Sequence, residues 1–172
     1  FPGWDDGTPG NGVVDADASQ VWVPHRDKFN PLGKRFKITV YVRPRKPIVD
    51  RESPNIIQKG RVDGEGNHHQ WKVSMNAPSM APSCTFRGAI SKTNPQIVTT
   101  DVFAETEGQM TAGQRYRLTC ELSAGGKAIL HVSRWEQGLG FVDVNPEGYV
   151  SSTARPGIWV APTEEISIGK KP

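Results

Sequence analysis

Arg35-Phe36-Lys37-Ile38-Thr39-Val40-Tyr41-Val42-Arg43 is the stretch that decides the fold class. Phe36, Ile38, Val40 and Val42 take every second position, with Lys37, Thr39 and Tyr41 between them. A period of two sends these sets to opposite faces of a strand. A helix would need apolar residues at steps of three and four. One face then meets a core and the other meets water, which is the pattern of an antiparallel sheet.

The same alternation recurs outward from this strand. Between His69 and Asn76, the residues His69, Trp71, Val73 and Met75 oppose Gln70, Lys72 and Ser74. From Ser83 to Ile90, Cys84 and Phe86 oppose Thr85 and Arg87. Gln96 to Phe103 is rich in β-branched residues. Arg115 to Ser123 sets Tyr116, Leu118, Cys120 and Leu122 against Arg115, Arg117, Thr119 and Glu121. Gly125-Gly126 reads as a tight hairpin into Lys127 to Trp135, where Ile129, His131 and Ser133 oppose Ala128, Leu130 and Val132. Shorter strands are predicted at Gln20 to Val23, Asn55 to Gly60, Tyr149-Val150, Ile158 to Val160 and Ile166 to Gly169.

Residues 1–19 are an irregular, turn-rich lead-in, residues 43–54 a Pro- and charge-rich loop, and Pro78 to Pro82 a turn. No window carries a helical stripe, and Gln109 to Gln114 makes at most a turn. Many short strands separated by turns indicate a sandwich or barrel. Eighteen glycines and fourteen prolines supply those turns.

The 172 residues fit a single domain, 1–172, with room for a core. No apolar run approaches the roughly 18 residues of a membrane span. The net charge of +3 is spread in short runs, Arg43-Pro-Arg45-Lys46 and Lys170-Lys171. This favours solvated surface charge over a nucleic-acid footprint. Phe1 begins without a signal-peptide pattern, so either processing removed a leader or the sequence is a trimmed piece. Cys84 and Cys120 both lie in alternating runs. Core-facing cysteines on neighbouring antiparallel strands can bridge in an oxidising compartment, and buried free thiols in a reducing one fit the composition equally.

The order of several segments resembles bacterial laminin-G-like domains. Those segments are Asn55-Ile-Ile-Gln-Lys-Gly60, Gln70-Trp-Lys72, Pro82-Ser-Cys84-Thr-Phe86-Arg87-Gly88 and Gly113-Gln-Arg115-Tyr-Arg-Leu-Thr-Cys120. Lys127-Ala-Ile-Leu-His-Val132 is similar to the family's Leu-Tyr-Val-Asp-Gly strand, although Ser133-Arg-Trp135 replaces the Asp-Gly. The end, Glu165-Ile-Ser-Ile-Gly169-Lys-Lys-Pro172, is similar to the family's Ile-Gly-x-x-Pro. The resemblance covers roughly residues 35–172 by eye and locates strands rather than chemistry. It implies an all-β antiparallel jelly-roll sandwich of the concanavalin/laminin-G type. It also implies a secreted protein and a Cys84–Cys120 bridge between neighbouring strands. Family members include glycan-binding modules and adhesion domains, and fold analogy alone assigns neither role.

Chemistry-bearing patterns are sparse. A retaining glycosidase of this fold would carry acids two and four residues apart on one strand. Glu105-Thr-Glu107 starts that way but lies in a polar, loop-like stretch. The Gln-x-His of jelly-roll lyases is missing, with His68-His69-Gln70 in its place. The two histidines alternate faces, which argues against a shared zinc ion. There is no nucleophile elbow, phosphate loop or dinucleotide fingerprint.

Three stretches space oxygen ligands at alternate positions: Asp15-x-Asp17-x-Ser19, Asp63-x-Glu65-x-Asn67 and Asp143-x-Asn145-x-Glu147-Gly148. That spacing suits a structural calcium ion, and Asp143, Asn145 and Glu147 are the chosen ligands. Turn chemistry explains the same residues. Gln70, Lys72, Arg87 and Arg117 are expected on one polar sheet face able to hold an acidic sugar; a plain solvent-facing sheet is the alternative. Trp71 reads as core. Trp135, at a strand end beside Glu136 and Gln137, is the candidate for stacking on a pyranose ring.

The function expected is a secreted glycan-binding or cell-surface adhesion module without catalysis, its partner a polysaccharide or glycoconjugate. The alternatives are a polysaccharide-cleaving lyase or hydrolase, and a self-associating subunit of an extracellular assembly joined through edge strands.

Overall fold

The computed structural model describes residues 21–45, 47, 54–60 and 68–169. The lead-in 1–19, Trp4, the calcium candidates at 15–19 and 63–67 and the basic pair Lys170-Lys171 lie outside them.

Among the described residues eleven short strands form in chain order: β1 (Val21–Val23), β2 (Phe36–Val42), β3 (Asn55–Lys59), β4 (Gln70–Asn76), β5 (Ala81–Ala89), β6 (Ile97–Phe103), β7 (Tyr116–Leu122), β8 (Ala128–Glu136), β9 (Gly140–Asp143), β10 (Tyr149–Val150) and β11 (Ile166–Ile168). A six-stranded sheet runs β1-β11-β3-β4-β5-β6. A five-stranded sheet runs β10-β8-β7-β2, with β9 also on β8. All these pairings are antiparallel. The two sheets pack as a jelly-roll-like sandwich, as the strand alternation predicts.

The inner faces follow the sequence pattern. Trp71, Val73 and Met75 of β4 and Cys84 and Phe86 of β5 are buried against Tyr116, Leu118, Cys120 and Leu122 of β7 and Ala128, Leu130 and Val132 of β8. Trp71 keeps its polar handle satisfied by donating its indole N–H to the Phe29 carbonyl at 2.8 Å. β2 lies at a sheet edge, so its inward Phe36, Ile38, Val40 and Val42 are only partly covered. Phe36 closes over Trp71 and Phe86, with ring centroids at 5.6 and 6.4 Å. In the middle of β6, Thr100 enters the core as a polar residue. Its hydroxyl is paired with Ser151 at 3.0 Å, so the burial leaves nothing unsatisfied.

Cys84 and Cys120 are bonded to each other. The expectation of a bridge between neighbouring strands is corrected in one respect. β5 pairs with β4 and β6, whereas β7 pairs with β2 and β8. The bridge therefore crosses the sandwich from one sheet to the other. Both cysteines face inward, as their alternation requires, but the strands that carry them belong to different sheets.

Two other expectations change. Ile158 to Val160 is not a full strand; it makes a single bridge, Trp159 to Ala89, with Ile158 and Val160 buried and Trp159 half-exposed beneath the Lys92 ammonium. And β5 begins inside the predicted proline turn, since Pro82 already pairs with Met75.

Candidate functional site

The outer face of the five-stranded sheet carries a row of side chains from four adjacent strands. The register aligns Tyr41 of β2 with Arg117 of β7, Arg117 with Ser133 of β8, and Ser133 with Asp143 of β9. One step along, Trp135 of β8 stands opposite Phe141 of β9.

Three aromatic rings meet there. Phe141 lies between the other two, with centroids 5.3 Å from Tyr41 and 5.1 Å from Trp135, the latter edge-to-face at 73°. Tyr41 remains 46% and Trp135 41% exposed. Gln114 fastens the end of β8 by donating its amide to the Trp135 carbonyl. The result is an open apolar ledge on an otherwise polar sheet face, too small to be a hydrophobic interface and too well ordered to be a stray surface residue.

A polar network borders the ledge. The Arg117 guanidinium sits 5.6 Å from the Phe141 ring centre. It donates through Nε and Nη2 to the Ser133 hydroxyl at 3.2 and 2.9 Å, and through Nη2 to Asp143 Oδ1 at 3.2 Å. Ser133 donates in turn to Asp143. The Ser133 hydrogen bond, helped by Arg117, holds the Asp143 carboxyl below the usual carboxylate range against a smaller opposing effect of burial.

The sign of the pH effect follows. A carboxyl depressed in the folded state adds stability above its unfolded pKa of about 3.9, and that stability is lost as pH falls through the folded value. Asp143 is 42% exposed, so water screens the pair and the contribution stays below about 1 kcal/mol. Asp143→Asn is expected to lower the denaturant midpoint slightly at pH 7, by an amount that shrinks steadily as pH falls below the usual carboxylate range. A difference that does not change with pH would contradict this account of the carboxylate.

β9 and Phe141 are absent from the sequence reading, which took Asp143 to Glu147 as a cation loop. Gly138 and Gly140 both adopt positive φ, +83° and +81°, and turn the chain through Gln137 to Leu139 into β9. That pair of glycines ahead of Phe141-Val-Asp143 was the available signal. Beyond β9, Gly148 at φ +77° brings the turn at Asn145 against the His131 ring, where a Cβ would lie 2.8 Å from the imidazole.

The donor set Asp143, Asn145 and Glu147 does not fit a calcium ion. Asp143 Oδ1 accepts from the Ser133 hydroxyl and the Arg117 guanidinium, so that oxygen is engaged and a positive charge stands beside it. Asn145 gives its carbonyl to Gly148, and Glu147 is exposed. Among the described residues no group of three His, Cys, Asp or Glu side chains is placed to hold a metal.

The expected polar face is divided by the topology. Arg117 and Trp135 are on the ledge, but Gln70, Lys72 and Arg87 lie on the outer face of the six-stranded sheet, on the other side of the molecule. There Gln70 stands opposite Arg87, and Lys72 opposite Thr85. Gln70 is 8% exposed and donates to the Gly60 carbonyl at 3.2 Å. Arg87 keeps a buried Nε without a partner among the described residues. The physical reason is the same crossing that separates the cysteines: β7 joins the sheet of β2 and β8, not that of β4 and β5.

Around the edge of β9 lies a shallow cleft of 420 Å³ lined by Glu107, Arg134, Glu136, Val142, Asp143 and Val144. Glu107, from the stretch read as a polar loop, sits in a single 3-10 turn and accepts the Tyr149 hydroxyl at 3.0 Å. Burial and that carboxylate push the Tyr149 phenol up to about 12, so it stays protonated and donates. Arg134 and Glu136 pair at 2.8 Å.

No family model matches the chain and no curated protein matches it. Among solved structures, full-length tailspike protein 2 from an Escherichia coli O157:H7 bacteriophage aligns with a TM-score of 0.45 and 9% identity, over 87% of this chain and 18% of that one. The enzymatically active domain of the bacteriophage CBA120 tailspike protein 2 aligns with a TM-score of 0.44 and 11% identity, over 89% of this chain and 24% of that one. The chain thus spans less than a quarter of the length of either tailspike structure it is similar to.

Proposed function

We propose that this domain is an extracellular glycan-binding module of the concanavalin/laminin-G type, acting without catalysis through the outer face of its five-stranded sheet. The observation that carries the reading is the ledge of Tyr41, Phe141 and Trp135 beside the Arg117–Ser133–Asp143 network. A pyranose has apolar C–H faces and hydroxyls around its edge. An aromatic ledge meets the first, and a fixed fork of donors and acceptors meets the second. The face is preformed on strands, so binding orders little of the protein. The disulfide supports an oxidising, extracellular setting.

The rival reading, a polysaccharide-cleaving enzyme, draws on one observation, the placement of Glu107 and Glu136 in the cleft around the edge of β9, where Glu136 is on the opposite face of β8 from Trp135. A glycan array followed by analysis of the bound sugars for new reducing or unsaturated ends separates the two. Binding with intact chains is the expected result. New ends would make the protein an enzyme, and silence across the array would remove the glycan reading.

A further inference from the structure

The ledge continues by one register step into two arginines. Val42 pairs with Tyr116, and beyond that pair the Gly113 amide donates to the Pro44 carbonyl and the Trp135 amide to the Arg115 carbonyl at 2.9 Å. Arg43 follows Val42 and Arg115 precedes Tyr116 at the same end of these paired strands, where the Gly113–Pro44 bond shifts the register by one residue. Alternation places Arg43 on the face of Tyr41, and Arg115 on the face of Arg117 and across from Trp135. Both arginines are exposed. Arg43 donates its Nε to the Gly113 carbonyl at 2.9 Å, which anchors the guanidinium beside the ledge.

Charge is not balanced here. Arg117 has Asp143, but among the described residues neither Arg43 nor Arg115 forms an ion pair. Arg43, Arg115 and Arg117 against the one carboxylate of Asp143 leave an excess of two positive charges at this end of the sheet face. Like charges at neighbouring ends of paired strands repel each other. A ligand anion between them removes that repulsion and gains paired, charge-assisted hydrogen bonds from the guanidinium forks.

Building on the glycan-binding reading, we propose that the ligand is an acidic polysaccharide. A carboxylate or sulfate sits between Arg43 and Arg115, and the ring that bears it, or its neighbour, stacks on Trp135 and Phe141. Carboxylate and sulfate share the chemistry that the two guanidinium groups recognise, so the probes must tell them apart.

The test uses oligogalacturonate, its fully methyl-esterified neutral form, and a heparin oligosaccharide, titrated by calorimetry at 50 and 500 mM salt. At low salt the acidic ligand that fits is expected to bind at least tenfold tighter than the neutral ester. That advantage should shrink at high salt, and oligogalacturonate against heparin identifies the anion. The double variant Arg43→Gln/Arg115→Gln should lose the advantage while retaining its melting temperature, and Trp135→Ala should weaken every ligand.

Equal, salt-insensitive binding of the ester would overturn the anion while leaving the glycan reading intact. Acidic binding that survives Trp135→Ala is simple ion pairing and would overturn both. Tighter binding to a single-stranded oligonucleotide than to either acidic sugar would also overturn the proposal. So would no binding to any of the three sugars, which would remove the glycan reading with it.

Discussion

Replacing Cys84 and Cys120 together by alanine is expected to destabilise the domain by about 4 kcal/mol. The bridge joins β5 to β7 across the core and closes a loop with a sequence separation of 36. A loop of that length restricts the unfolded chain by close to 4 kcal/mol in the chain-entropy account. Both residues are fully buried, so truncation also removes packed sulfur from between the sheets. For a domain of this size the melting temperature should fall by roughly 8–16 °C. Thermal unfolding of the double variant beside the parent protein measures the effect. A change of only a degree or two would mean that sheet packing alone, not the crossing bridge, sets the stability.

The second large effect is on binding. Trp135→Ala is expected to weaken glycan binding by about 2 kcal/mol or more, roughly 30-fold, with little change in melting temperature. The indole is two-fifths exposed, and its main packing partner on the ledge, Phe141, stays in place against Tyr41. Little core packing is lost, while the widest apolar surface offered to a sugar disappears. Calorimetric titration of the variant checks this. Unchanged affinity would take Trp135 out of the site, and a collapse in melting temperature would make it a structural residue instead.

These two outcomes bear on how far the sequence could be read. The period-two pattern placed Trp71 and Leu118 in the core and Tyr41 and Arg117 on outer faces, because burial of one face is a local property of a strand. Alternation is silent about which sheet a strand joins. That is set by long-range pairing, and it is why Arg117 parted from Gln70, Lys72 and Arg87, and why the disulfide spans the sandwich. Phe141 was hidden because β9 is four residues long and ends in Asp143, which also suits a turn. Tyr41 was legible as outward but had no visible partner until β9 brought Phe141 to it. Trp135 stood out because a large aromatic at a strand end beside Glu136 and Gln137 has little reason to be buried.

The claim that the five-stranded face binds the ligand is tested most directly by amide chemical-shift mapping with the tightest ligand from the array. The account predicts that the largest perturbations fall on Tyr41, Arg115, Arg117, Ser133, Trp135, Phe141 and Asp143, with the Trp135 indole N–H among them. Perturbations centred instead on Gln70, Lys72 and Arg87, across the sandwich, would contradict it.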